Sequence, residues 1–116
     1  MTGPLIYHIA TTEEWESGRR DGEYTPAAFE TDGFIHLSTH NQIVDTANRY
    51  YGGRRNLVLL CVDPEAVTAP LRYEDLAGSG QRFPHLYGRL SLEAVVEVLA
   101  FPCEPDGSFS MPGGLS

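Results

Sequence analysis

Residues 57–62 read Leu-Val-Leu-Leu-Cys-Val, an apolar run with no turn former inside it. Asn56 precedes the run and Asp63-Pro64 closes it. A half-exposed strand would carry a polar residue at every second position, so this pattern predicts a central strand covered on both faces. Such a strand requires neighbouring strands beside it and further elements above and below. At 116 residues the chain has the length of one domain with a single real core. We read 1–116 as that domain, with a folded core over 5–101. The Pro- and Gly-rich segment 102–116 is expected to be a mobile or surface-laid tail.

The neighbouring elements follow in order. Residues 5–10 are a short apolar run and read as a strand. Thr11 and Glu14 form a capping-box pattern, so a helix starts there and ends near Arg20, with Gly22 as its stop and Trp15 as its anchor. Residues 23–32 show no period and read as a long loop walling a cleft. Residues 34–38 read as a strand running into a second helix. Thr39 with Gln42 repeats the capping pattern, and Ile43, Val44, Ala47, Tyr50 and Tyr51 recur at helical spacing before Gly52-Gly53. Strands are expected over 71–74, 83–88 and 95–101, with a flexible loop at 77–81 and a capped turn at 91–94. Two short N-terminal helices followed mostly by strands predict an α+β fold.

Charge limits the function classes. The sequence carries 16 acidic and 8 basic residues, a net charge of −8, and every basic residue is arginine. Phosphate contacts dominate nucleic-acid affinity, so a general nucleic-acid binder is not expected. A few arginines focused in a cleft suit a small anion instead. Without lysine there is no Schiff base and no Walker-type lysine. No apolar run approaches the ~18 residues of a membrane span, and no secretory leader pattern is visible, so a cytoplasmic protein is expected. Cys61 and Cys103 have no metal spacing; Cys61 reads as a small buried hydrophobe. The sequence does not fix an oligomeric state.

Three of the four histidines sit in short apolar segments: His8, His36 and His85. One such residue is ordinarily a satisfied structural histidine. Three together suggest a shared cleft, in which imidazole binds ribose hydroxyls or works as acid and base. A three-histidine zinc site is the rival, reached only by folding, since His36 and His40 do not share one helix face. Glu74, on an alternating strand, is the natural carboxylate of such a cleft, and otherwise an edge-strand charge. Thr39 reads as a helix cap, and Asn48 and Arg49 as a solvated helix edge or as ligand contacts. Ser38 lacks a Gly-x-Ser-x-Gly elbow and is not read as a nucleophile.

Residues 6–10 (Ile-Tyr-His-Ile-Ala), 33–39 (Gly-Phe-Ile-His-Leu-Ser-Thr), 46–51 (Thr-Ala-Asn-Arg-Tyr-Tyr), 57–60 and 83–88 (Phe-Pro-His-Leu-Tyr-Gly) together resemble the bacterial domain-of-unknown-function family 952. The resemblance spans about 5–101. It implies a fold similar to the ADP-ribosyltransferase group, a split antiparallel or mixed sheet with a cleft for NAD or an ADP-ribose-like ligand, and ribosyl or phosphoryl transfer as the reaction class. Within that resemblance His8, His36 and His85 are the candidate catalytic residues; Glu74 joins them as the carboxylate of the cleft, at a position that does not match the group's motif. Tyr7, His8, Ser38, Thr39, Asn48, Arg49 and Tyr87 are the candidate ligand contacts, and no metal is implied. His8 is expected on a ribose hydroxyl, His36 and Ser38 at the nicotinamide or phosphate end, Arg49 on phosphate, and His85 with Tyr87 on the far wall. Where the group often has a Glu in its third segment this chain has His85, nearer to relatives that transfer a 2′-phosphate with His and Arg. The alternatives are a metal-assisted hydrolase using His8, His36 and His85, and a ligand-binding module without chemistry.

Overall fold

The computed structural model describes residues 4–112. The elements run β1 (Ile6–Thr11), α1 (Thr12–Asp21), β2 (Glu23–Tyr24), α2 (Phe29–Asp32), β3 (Ile35–His36), α3 (Ile43–Tyr50), β4 (Leu57–Val62), β5 (Leu71–Glu74), β6 (Phe83–Leu86), β7 (Leu90–Ser91), a 3-10 turn (Leu92–Ala94) and β8 (Val95–Ala100). The protein is a small α+β domain with antiparallel pairing throughout its described ladders.

The apolar run at 57–62 is β4, the middle strand of the sheet β1-β4-β8. It is buried on both faces, and its alternation divides the core. Leu60 and Val62 join Ile6, Ala10, Trp15, Tyr24 and Leu86 on one side. Leu57, Leu59 and Cys61 join Tyr7, Ile9, Ile43, Ala47 and Phe101 on the other. Each Leu of this kind contributes about 1.5–3 kcal/mol by burial. Cys61 behaves as one of these hydrophobes, its thiol pushed up to about 11 by burial.

A second three-stranded sheet has the order β3-β6-β5. Among the described residues the backbones around the two sheets pair at one bridge, where Tyr7 and Ser38 exchange both hydrogen bonds at 2.8 Å. A cleft runs along this narrow seam. Two hydrogen-bonded strands, β2 and β7, form a separate ribbon.

α1 matches its sequence signals. Thr11 and Glu14 make a complete capping box, and Gly22 ends the helix with φ 86°. Only a left-handed backbone makes that turn, which glycine adopts without a Cβ penalty. The second helix differs. Thr39 does not cap it, and α3 begins at Ile43 with no side-chain cap. Half of the expected box forms: Gln42 Oε1 accepts from the Thr39 N–H at 3.0 Å, but the Gln42 N–H donates to the Thr39 carbonyl at 3.0 Å and not to its hydroxyl, while Gln42 Nε2 donates to the Arg82 carbonyl 2.8 Å away. The backbone bond from Gln42 to the Thr39 carbonyl closes 40–42 as a turn. The expected loop at 23–32 contains β2 and α2, and the regular part of the expected 34–38 strand is β3 alone. The segment 102–112 lies against the core: Cys103 and Phe109 are buried, and Asn48 Oδ1 accepts from the Phe109 N–H at 2.7 Å. The end of the expected tail, 113–116, lies outside the described residues.

Candidate functional site

β3, β6 and β5 place one row of side chains toward the seam. His36 pairs with His85, His85 with Arg72, and Glu74 with Phe83. Directly paired residues, and those two apart on one strand, share a face of a sheet. The opposite face is apolar, with Ile35 and Leu86 in the core. The facing row is therefore aromatic and titratable because the sequence alternates: Phe34 just before β3 and His36 in it, Phe83 and His85 in β6 and Tyr87 just after it.

This row forms one wall of a cavity of about 590 Å³, a size usual for small-molecule sites. Tyr7, His8 and Ile9 from β1, Ser38, and Ile43, Thr46, Tyr50 and Tyr51 around α3 line the other side, with Leu76 and Ala77 from the β5–β6 loop. The polar lining groups include three carboxylates, Glu14, Asp32 and Glu74, and no arginine.

His85 is buried, and its Nδ1 donates to Glu74 Oε1 at 3.1 Å. The Tyr87 hydroxyl donates to the same oxygen at 2.5 Å. The Tyr87 bond first and the His85 bond second hold the Glu74 carboxyl below the usual carboxylate range. The same carboxylate raises Tyr87. Arg72 stacks over the Tyr87 ring at 5.6 Å. Phe34 packs on His85, ring centroids 4.3 Å apart, and on His36 at 4.7 Å. His36 is exposed, its Nε2 bonded to Asp32 at 2.9 Å, and its ring stands edge-on to His85 at 5.4 Å.

His8 also faces the cavity, with both ring nitrogens occupied by protein. Nδ1 donates to the His36 carbonyl at 2.6 Å, and Nε2 accepts from the Tyr24 hydroxyl at 2.8 Å. Burial dominates its titration and lowers its pKa to about 4, so the ring is neutral. Tyr24 is fully buried and its pKa is raised by that burial. α1 seats it closely: a Cβ on Gly18 would lie 3.0 Å from the Tyr24 ring. The Glu14 capping carboxylate also accepts from the Ala27 N–H at 2.9 Å, tying the 26–28 wall to α1. Burial raises Glu14, but its bonds from Ala27 and Thr11 outweigh that, and its pKa is lowered.

The structure thus brings His8, His36, His85, Glu74, Tyr7 and Ser38 to one cavity. Tyr87 stands behind Glu74. Ser38 is buried, and its hydroxyl donates to Thr46 at 3.3 Å. Thr39 is outside the lining. Asn48 is turned to the 109 backbone. Arg49 pairs loosely with Asp45 at 3.7 Å and borders a smaller adjoining hollow. A shared histidine metal centre does not form: His8 has no free nitrogen, and among the described residues no three His, Cys, Asp or Glu groups are placed to hold a metal. Among the described residues no helix is long and apolar enough to cross a membrane. Sequence reading missed Asp32, Phe34 and Tyr24 as site residues. Asp32 and Phe34 had a signal in their spacing of four and two from His36; Tyr24, in an aperiodic segment, had none.

Fold and cavity together define a small α+β domain with one histidine- and aromatic-lined cleft. The model of the family described as "Protein of unknown function (DUF952)" matches residues 9–98, and the chain belongs to that family. Its fold is shared by protein CC0527 of Caulobacter crescentus, whose crystal structure is 37% identical over 96% of this chain and 97% of that one, with a TM-score of 0.86. The solution NMR structure of CC0527 aligns over 91% of both chains with a TM-score of 0.80. No curated protein matches.

Proposed function

We propose that the cleft binds a nucleotide-like ligand, NAD or ADP-ribose, and that its chemistry is ribosyl transfer. The observation that carries this reading is Glu74: an ionised carboxylate in the cavity wall, with both of its side-chain bonds on Oε1 and Oε2 left without a partner among the described residues. A fixed anion in a partly dry site stabilises the positive charge that develops on a ribose carbon as nicotinamide leaves with the bonding electron pair. The aromatic row beside it suits a flat heterocycle. The seam between two antiparallel sheets, joined at Tyr7 and Ser38, agrees with the resemblance to the ADP-ribosyltransferase fold. Phosphoryl transfer is the weaker alternative, because a carboxylate at the reacting centre favours a developing ribosyl cation and opposes the negative charge on a phosphoryl group in transit.

His8 takes a supporting part in this reading, since its nitrogens are spent on His36 and Tyr24. The test is calorimetric titration with NAD and ADP-ribose, together with chromatographic assay of nicotinamide. Saturable binding that Glu74→Gln leaves in place, with nicotinamide release that the same change reduces, is the expected result. Absence of heat, thermal shift and nicotinamide with both ligands overturns the reading.

A further inference from the structure

Two ring nitrogens of the cleft have no hydrogen-bond partner among the described residues, Nδ1 of His36 and Nε2 of His85; His36 stands exposed, and only the His85 ring is held within the wall. His85 has a side chain only 6% exposed. A carboxylate oxygen only accepts, so the neutral ring keeps its proton on Nδ1, toward Glu74, and its lone pair on Nε2. Nε2 has no hydrogen-bond partner among the described residues. Yet no fully buried side-chain nitrogen or oxygen among them lacks one. Nε2 therefore reaches the water of the cavity that the ring lines. Behind it the ring is fixed by Phe34 at 4.3 Å and by Glu74, which Tyr87 holds in turn. A nucleophile's base, oriented by a third group, has this construction.

We infer that His85 is the general base of the cleft, and that it takes its proton from the hydroxyl of an acceptor, water or a small alcohol, to which the ribosyl group is transferred. This inference rests on the ribosyl-transfer reading above. The acceptor class follows from the base. Imidazole does not deprotonate a guanidinium, whose pKa lies above about 12, and an ionised carboxylate acceptor needs no base. A hydroxyl needs one as its oxygen bonds to carbon. In the step, the bond from the ribose carbon to nicotinamide breaks and its electron pair leaves with neutral nicotinamide. A lone pair of the acceptor oxygen forms the new carbon–oxygen bond. The hydroxyl proton passes to His85 Nε2, and the resulting imidazolium faces Glu74 before returning the proton to water. No protein nucleophile intervenes: Ser38 is buried and bonded to Thr46.

The test has two arms. In the first, ¹⁵N NMR of the unliganded protein at neutral pH reads the His85 tautomer. The Nδ1–H form is expected in wild type and a mixture in Glu74→Gln; a wild-type ring protonated on Nε2 overturns the inference, whatever ligand the protein binds. In the second, nicotinamide release from NAD is followed in water and with methanol added. His85→Gln is expected to lower kcat about 100-fold, to leave KM for NAD within about threefold, and to regain rate with added imidazole, while wild type forms the methyl riboside. An unchanged kcat in His85→Gln overturns the inference and leaves ribosyl transfer standing. A wild type that neither binds NAD nor ADP-ribose nor releases nicotinamide overturns both.

Discussion

At the scale of single residues, His8 and Tyr24 form a buried neutral pair that fixes the carbonyl of His36. The Tyr24 hydroxyl is the only donor that His8 Nε2 has among the described residues. Tyr24→Phe keeps the ring and its packing but leaves that nitrogen buried and unpaired. The expected loss is about 1–3 kcal/mol in urea unfolding at pH 7; an unchanged midpoint would show that water replaces the hydroxyl. The same pair makes stability depend on pH. The folded His8 pKa is lowered from 6.5 to about 4, so the unfolded chain binds the proton more readily than the folded one. The contribution is complete above pH 6.5 and is lost as pH falls through the window down to about 4. At full extent it is on the order of 3 kcal/mol. Unfolding midpoints at pH 7 and pH 5 should therefore separate more in wild type than in His8→Gln, and equal separations would remove His8 from the account.

At the scale of elements, helix starts show what local sequence can and cannot specify. The Thr11–Glu14 box is complete in α1. Thr11→Ala should cost about 1 kcal/mol, within the 0.5–2 range of N-cap losses, and should loosen the 26–28 wall because Glu14 also holds Ala27. Thermal melts and amide exchange at Ala27 measure the two effects; a lower melting temperature with unchanged exchange would confine the box to the helix. This box was legible because all its partners lie within four residues. The Thr39–Gln42 pattern is equally good locally, yet only its glutamine half forms, the Gln42 amide also bonds Arg82 forty residues away, and the helix starts later. The short elements β2 and α2 were illegible for a related reason. A two-residue strand has too little pattern to read, and β2 exists because its partner β7 lies beside it.

At the scale of the whole molecule, the unbroken apolar run of β4 was enough to foresee a central strand, and the histidine-bearing segments were foreseen as walls of a cleft. What joins them was not in the pattern. His36 meets His85 through the register of β3 on β6, and Asn48 meets residue 109 through the return of the chain; neither partner is marked by composition or spacing. That return matters to the core. Phe109 is buried with its ring 5.0 Å from Phe101, in the cluster that also holds Tyr7, Ile43 and Ala47. The segment after β8 therefore closes the side of the core on which α3 and β1 meet, and α3 with its C-cap residue carries Tyr50 and Tyr51 of the cleft. Phe109→Ala should cost about 3–5 kcal/mol, the usual range for a buried phenylalanine. Asn48→Ala should cost less, about 1–3 kcal/mol, by leaving the 109 N–H unpaired. The two substitutions act on one contact and should add to less than their sum. Urea unfolding of the single and double variants measures this. Full additivity would mean that Asn48 and Phe109 act independently, and a Phe109→Ala protein as stable as wild type would return the segment to a surface-laid tail.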